Sequence, residues 1–264
     1  METTSETITT SISATGTGAI GTITINRPEV RNALSKTVLA EIGAVLDSWE
    51  DDPAVGAIVF TGAGEKAFVA GADISQLAGY DLAYGLAAHM QKLYDRIEDY
   101  PKPTIAAING VAMGGGLELA MSCDIRIAAD GARMGLPEAT LGVLPGAGGT
   151  QRLTRLVGTG RAVEMILTSR VLTAAEAERY GLVTAVVHRE ELEATAAATA
   201  ATILSKGPLA VRLGKIVIRQ GAETDQKTGL LLERLAQTLL YTTEDKAEGA
   251  AAFLAKRTPE FAGR

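Results

Sequence analysis

Along the first quarter of the chain, apolar and small polar positions alternate. Residues 8–13 and 19–26 follow this two-residue period on either side of Thr15-Gly16-Thr17-Gly18. Alternate side chains of a strand face opposite sides, so the pattern predicts a β-hairpin. The period then lengthens. Leu39, Ile42, Leu46 and Trp49 recur at helical spacing after Ser35, a residue suited to cap a helix, and the pattern stops near Pro53. Ala57-Ile58-Val59-Phe60-Thr61-Gly62 reads as a short buried strand, and residues 104–109 and 124–129 predict two more. Helical patterns cover residues 82–99 and 116–122. This strand–turn–helix order predicts a layered α/β core with its chemistry on the loops at strand ends. Beyond Gly149 the pattern is almost wholly helical, interrupted at residues 182–187, with helices expected near 190–204, 209–219, 229–241 and 245–257. No proline- or serine-rich linker sets this part off. Residues 1–200 therefore form the expected core, and residues 201–264 a helical region packed on it or on a neighbouring subunit.

Composition narrows the class. At 264 residues the chain is near the upper size for one packed core, and 47% hydrophobic with 21% charged residues excludes disorder and collagen-like fibres. A compact chain of this size exposes roughly 11,000 Å². A single cysteine excludes a disulfide framework and fits a reducing compartment. A net charge of −6 is the wrong sign for gripping nucleic acid. No apolar run is long enough to span a membrane. The first cation is Arg27, so neither a secretory nor a transit pattern is present and the cytoplasm is the expected location.

Several motif matches carry no chemistry. Gly16-Thr17-Gly18-Ala19-Ile20-Gly21 fits the dinucleotide fingerprint as a string, but the strand pattern Thr22-Ile23-Thr24-Ile25 follows it, so no helix start is available for a pyrophosphate. Gly214-Lys215 lacks the rest of a phosphate loop, and no Gly-x-Ser-x-Gly elbow exists. His89 and His188 stand apart without ligand-spaced neighbours and read as surface residues. Cys123, inside an apolar run, reads as a buried small hydrophobe.

Three segments stand out. In the first, the strand Ile105-Ala106-Ala107-Ile108 runs through Asn109-Gly110 into Gly114-Gly115-Gly116 and a helix carrying Glu118. Three consecutive glycines cost conformational entropy, so this backbone is expected to sit where a side chain would obstruct. The helix start aims free N–H groups and the positive dipole end at whatever approaches, which suits an oxyanion hole or a phosphate. The alternative is a first-turn acid beside closely packed glycines. The second segment places Glu138 directly after Pro137 among apolar residues, a setting that raises a carboxyl pKa towards neutrality. Two acids in unlike surroundings are what acid–base chemistry without a metal requires. Spacing alone favours two unrelated surface acids. In the third, Gly64 to Ile74, a small-residue turn can present the Ala72 N–H as a second donor opposite Gly115, with Lys66 placed to meet a phosphate; an ordinary turn between strand and helix is the alternative.

Together these segments resemble the crotonase (enoyl-CoA hydratase/isomerase) superfamily. The likeness runs through Asn26-Arg27-Pro28, Lys66-Ala67-Phe68, Ala70-Gly71-Ala72-Asp73-Ile74, Asn109-Gly110, Gly114-Gly115-Gly116-Leu117-Glu118 and Pro137-Glu138. It continues in Leu144-Pro145-Gly146-Ala147-Gly148-Gly149-Thr150-Gln151-Arg152-Leu153, Glu248-Gly249, Phe253 and Lys256-Arg257. The resemblance implies an α/β spiral of ββα turns with a carboxy-terminal helical trimerisation region, assembled as a homotrimer or as a hexamer formed by two trimers. It implies a coenzyme A thioester as substrate, with coenzyme A part of that substrate and no separate cofactor or metal.

By the same match, Ala72 and Gly115 supply the oxyanion hole, and Glu118 and Glu138 are the two catalytic carboxylates of the hydratase branch. Contacts to the thioester are implied for Lys66, Ala67, Phe68, Ala70, Ala72, Asp73, Ile74, Gly114, Leu136 and Lys256. The implied reaction is reversible addition of water to a trans-2-enoyl-CoA. Glu118 acts mainly as base and Glu138 mainly as proton donor to C2. Leu136, Ser75 and Leu117 depart from the residues common in short-chain hydratases, which bears on acyl preference and leaves room for branched, methylglutaconyl-type substrates. Isomerisation on the same fold is the enzymatic alternative, and a non-catalytic acyl-CoA- or RNA-binding relative the other. Acidic charge and both glutamates speak against the latter.

Overall fold

The computed structural model describes residues 2–77 and 79–264. Three antiparallel strands open the chain: β1 (Glu2–Thr4), β2 (Ile8–Thr15) and β3 (Gly18–Ile25). The β2–β3 pair is the expected hairpin, so no helix starts in the glycine string at residues 16–21. Helix α1 (Lys36–Glu50) begins at Ser35, whose hydroxyl accepts the Val38 N–H, and buries Val38, Leu39, Ile42, Leu46 and Trp49.

Three ββα units follow. Strands β4 (Val55–Gly62) and β5 (Ala67–Val69) lead to helices α2 (Ile74–Leu77), α3 (Leu82–Ala87) and α4 (His89–Glu98). Strands β6 (Thr104–Ile108) and β7 (Val111–Met113) lead to α5 (Gly115–Ser122). Strands β8 (Ile125–Ala129) and β9 (Arg133–Gly135) lead through a single 3-10 turn, Glu138–Leu141, to α6 (Gly149–Val157) and α7 (Thr159–Leu167). Then come β10 (Val171–Thr173), α8 (Ala174–Tyr180), β11 (Ala185–Val187) and four helices, α9 (Leu192–Leu204), α10 (Pro208–Ala222), α11 (Gln226–Leu240) and α12 (Glu244–Leu254).

Each unit gives its first strand to one sheet and its second to another. The larger sheet runs β1-β2-β3-β4-β6-β8-β11, parallel from β3 onward, and the smaller runs β10-β9-β7-β5. A parallel sheet is covered on both faces, and the two faces of β4, β6 and β8 bury different sets. Ile58, Phe60, Ala106, Ile108 and Ala128 join the main core with α1, α4 and α5. Ala57, Val59, Ile105, Ala107, Ile127 and Ala129 face the other way, against Leu192, Ala196 and Ala200 of α9. The small residues of α9 let it lie close on the sheet.

The sequence pattern misplaces three features. Residues 82–99 are not one helix: Ala88 takes a left-handed conformation (φ 50°), ending α3 and starting α4. The break separates unlike faces, since Leu82 and Leu86 are exposed whereas Leu93, Tyr94 and Ile97 are buried. The stretch at residues 64–74 is not only a turn, because it contains β5. The helical run after Gly149 is also interrupted by β10. Strands of three residues are too short to display a period. The break at residues 182–187 is found, and it holds β11.

Candidate active site

The site grows from the crossing of the ββα units, where β5 and β7 run side by side and α5 departs. Each of the three glycines meets a neighbour that a side chain would strike. A Cβ on Gly114 would stand 3.0 Å from Glu138 Oε1, one on Gly115 3.0 Å from Met90 Sδ, and one on Gly116 2.1 Å from the Val69 carbonyl oxygen. Gly114 also turns with φ 51°, a region that disfavours side chains. The expectation of obstructed backbone is met, and α5 starts at Gly115, one residue earlier than the pattern suggested.

The segment carrying Ala72 is fixed from the opposite side. Leu34 bridges it in parallel: the Leu34 N–H donates to the Gly71 carbonyl (2.9 Å) and the Asp73 N–H donates to the Leu34 carbonyl (2.9 Å). In such a bridge the intervening Ala72 N–H points away from Leu34. Upstream, Asn109 Nδ2 donates to the carbonyls of Gly62 (2.8 Å) and Gly64 (3.0 Å), and Asn32 Nδ2 to those of Ala63 (3.0 Å) and Ala67 (2.8 Å). Gly71 Cα lies 4.0 Å from the Cβ position of Gly114, so the two donor-bearing segments adjoin. Among the described residues, neither the Ala72 nor the Gly115 N–H has a protein acceptor.

Glu118 is only 2% exposed, on the first turn of α5. Its Oε1 accepts the N–H groups of Ala147 and Gly149, both at 2.8 Å. Burial pushes Glu118 up to about 7, opposed by those two N–H bonds and reinforced by the nearby Glu138 charge. Glu138 is also raised by burial, and its Oε2 is buried without a protein partner. The two acids thus lie close enough to feel each other's charge, Glu118 from the first turn of α5 and Glu138 from the 3-10 turn, in unlike surroundings. One is held by N–H groups on a single oxygen, and the other keeps an unpaired oxygen.

The remaining expected contacts fall into different places. Ala67, Phe68 and Leu136 are buried in the core. Ala70 donates its N–H to the Arg31 carbonyl (3.1 Å). Asp73 is occupied by Arg27 (3.3 Å) and by the Ser75 hydroxyl (2.6 Å). Lys66 is exposed immediately before β5, and Ile74 is 62% exposed at the start of α2. Lys256 is exposed beyond α12, and no hydrogen bond or ion pair of its side chain joins it to the carboxylates. His89 and His188 are exposed, as expected, with His188 Nδ1 2.9 Å from Asp130 Oδ2. Cys123 is buried, and burial pushes its thiol up to about 12, far from a nucleophile's range. No group of three or more His, Cys, Asp or Glu able to hold a metal occurs among the described residues. Sequence reasoning assigned no role to Ala147 and Gly149, whose backbone N–H groups hold Glu118. Their glycine-rich motif was visible, but its use of main-chain donors was not.

The model of the enoyl-CoA hydratase/isomerase family matches residues 15–264. The chain belongs to that family. A crotonyl-CoA hydratase from Syntrophomonas wolfei is 48% identical over 239 residues, covering 90% of this chain and 92% of that protein. A short-chain-enoyl-CoA hydratase from Clostridium acetobutylicum is 46% identical over 245 residues, covering 92% and 94%. The crystal structure of an enoyl-CoA hydratase from Bacillus anthracis superposes with a TM-score of 0.92 at 44% identity, over 97% of this chain and 99% of that one. The spiral architecture with a helical carboxy-terminal region is therefore that of the family.

Proposed function

We propose that Glu118 and Glu138 hold one water between them and add it across the double bond of a trans-2-enoyl thioester of coenzyme A. The activity is that of an enoyl-CoA hydratase. The assignment of roles rests on one observation: a buried acid with an oxygen saturated by N–H donors, and a half-buried one whose buried oxygen is unpaired, beside two free main-chain N–H groups.

Ala72 and Gly115 bind the thioester oxygen, and their N–H groups stabilise the negative charge that grows there as the enolate forms. The positive end of α5 adds to the same field. Glu118, ionised and fixed by Ala147 and Gly149, takes a proton from water while its oxygen attacks C3. Glu138, whose protonated form burial favours, gives its proton to C2. The proton then passes back from Glu118 to Glu138, so the acids titrate as a pair rather than singly. No cofactor beyond the coenzyme A of the substrate enters this scheme, and Lys66 and Lys256 are the proposed contacts for its phosphates. The acyl preference is read at Leu136, Leu117 and Ser75.

Assembly belongs to the same proposal. The chain exposes 13454 Å², against roughly 11,000 Å² for a compact chain of this length. Leu230, Leu231, Leu235 and Leu239 of α11 and Ile218 of α10 are among the exposed apolar residues. Residues 201–264 are proposed to cover this surface with neighbouring copies in a homotrimer or a pair of trimers. The buried single thiol suits a cytoplasmic setting.

Steady-state hydration of crotonyl-CoA tests the roles. Glu118→Gln and Glu138→Gln should each lower kcat by about a thousandfold while thioester binding persists. Near-normal turnover by either variant would remove the mechanism. Isotopically labelled water separates hydration, which places solvent oxygen at C3, from isomerisation, which moves the double bond without it.

A further inference from the structure

The turn that grips Glu118 raises a question of support, since after Pro145 residues 146–149 are Gly-Ala-Gly-Gly and carry no polar side chain of their own. Arg152, one turn into α6, folds back onto this turn. Its Nη1 donates to the Ala147 carbonyl (3.0 Å), the residue whose N–H holds Glu118. The guanidinium also fills the space where a side chain of residue 148 would lie. A Cβ on Gly148 would stand 2.0 Å from Nη1, and the residue turns with φ 98°. The turn is thus moulded on a buried cation.

A buried guanidinium must be paired, because leaving it unpaired costs several kcal/mol. Arg152, 8% exposed, donates through Nε (2.8 Å) and Nη2 (2.5 Å) to Glu98 Oε2 and through Nη2 to Asp95 Oδ1 (2.7 Å). The other oxygen of Glu98 accepts from Arg219 Nη1 of α10 (2.5 Å). Asp95 and Glu98 lie on α4 with Tyr94, whose hydroxyl donates to the Gly115 carbonyl (2.7 Å). One helix therefore braces the turn behind Glu118 and the start of α5 together.

We propose that Arg152 is a positioning residue for Glu118, acting through the Ala147 peptide and held in place by Asp95 and Glu98. This rests on the reading that Glu118 is one of the catalytic acids. The alternative is a plain structural ion pair, which would lower stability and leave the reaction unchanged. The charged and titratable groups facing Glu118 are Glu138 from the 3-10 turn, Tyr94 from α4 and Arg152 from α6, and of these only Arg152 favours the ionised form.

The test uses full-length Arg152→Lys and Glu98→Gln with crotonyl-CoA, measuring kcat, KM and the pH dependence of kcat alongside thermal unfolding. Lysine cannot donate to Glu98, Asp95 and the Ala147 carbonyl at once, so Arg152→Lys should lose about 100-fold in kcat. Its KM should stay within roughly threefold, because the loss falls on the chemical step. Glu98→Gln, which keeps Arg152 but loosens it, should lose about 10-fold in kcat. In Arg152→Lys the acidic limb of kcat should also move to higher pH, because a less well-placed cation stabilises the Glu118 carboxylate less; Glu98→Gln, which removes an anion as well, is read by kcat against KM. An unchanged kcat in the folded variants and an unchanged acidic limb in Arg152→Lys, with only the melting temperature lowered, overturns the proposal. Should Arg152→Lys fail to fold, Glu98→Gln decides by kcat against KM. A turnover-competent Glu118→Gln would instead overturn the site reading itself, so the two failures are distinguishable.

Discussion

Residues 111–122 and helices α10–α11 are opposite solutions to using apolar sequence. Every residue of α5 is buried, and a Cβ on Gly116 would stand 2.1 Å from the Val69 carbonyl oxygen, while one on Gly114 or Gly115 would press on Glu138 or Met90 at 3.0 Å. Neither α10 nor α11 buries a single residue, although both carry leucine and isoleucine in abundance. The first region is packed within one chain: main-chain N–H groups of Ala72 and Gly115 are left without a protein acceptor, and burial raises the carboxyls of Glu118 and Glu138. The second is tied to the core by charge, through Lys215 and Arg219 on Asp124 (both 2.8 Å), while its apolar side faces outward. The proposed reaction geometry is thus built from tightly packed backbone, whereas apolar surface on α10 and α11 stays exposed.

Substitutions can break this contrast. The largest effect is expected at Gly116→Ala, whose new methyl group would stand 2.1 Å from the Val69 carbonyl, a backbone atom that cannot swing aside. A loss of about 3 kcal/mol is expected, read from denaturant unfolding. Glu118→Gln should come next, with the opposite sign. Burial raises this carboxyl to about 7, so the wild type bears the cost of an ionised buried group only above that pH. The variant should be more stable by about 2 kcal/mol at pH 8, and the advantage should shrink as pH falls and vanish only below about pH 4, where the acid is protonated whether folded or not. Thermal melts of both proteins at the two pH values check this.

On the outward region, Leu235→Asp should weaken association by about 2 kcal/mol per subunit, leaving far-UV circular dichroism unchanged while sedimentation shows smaller species. Gly214→Ala should have the smallest effect. Nothing lies within 4 Å of a Cβ there, so the change should stabilise α10 by up to about 1 kcal/mol. A destabilisation like that of Gly116→Ala would mean that this position is already packed.

The sequence made some of this legible and hid the rest, for identifiable reasons. The β2–β3 hairpin and α1 declare themselves because eight and fifteen residues suffice to display a period and a cap. Strands β5, β7 and β9 have three residues each, and the smaller sheet they build escaped the pattern. Glu118 and Glu138 were visible as acids in unusual company, and the structure brings them together. The N–H groups of Ala147 and Gly149 were not, because a main-chain donor carries no side-chain signature. Arg152 was legible as part of a motif, but its bond to the Ala147 carbonyl depends on how the chain folds back.

The two-faced burial of β4, β6 and β8 constrains how this fold can change. Ile58 and Phe60 belong to one interior, while Ala57 and Val59 belong to another that alanine-rich α9 shuts tightly. Inserting or deleting one residue in such a strand would exchange these two sets and force a phenylalanine against alanines. Lineages descended from this chain should therefore gain and lose residues in the turns between strands, with strand lengths conserved.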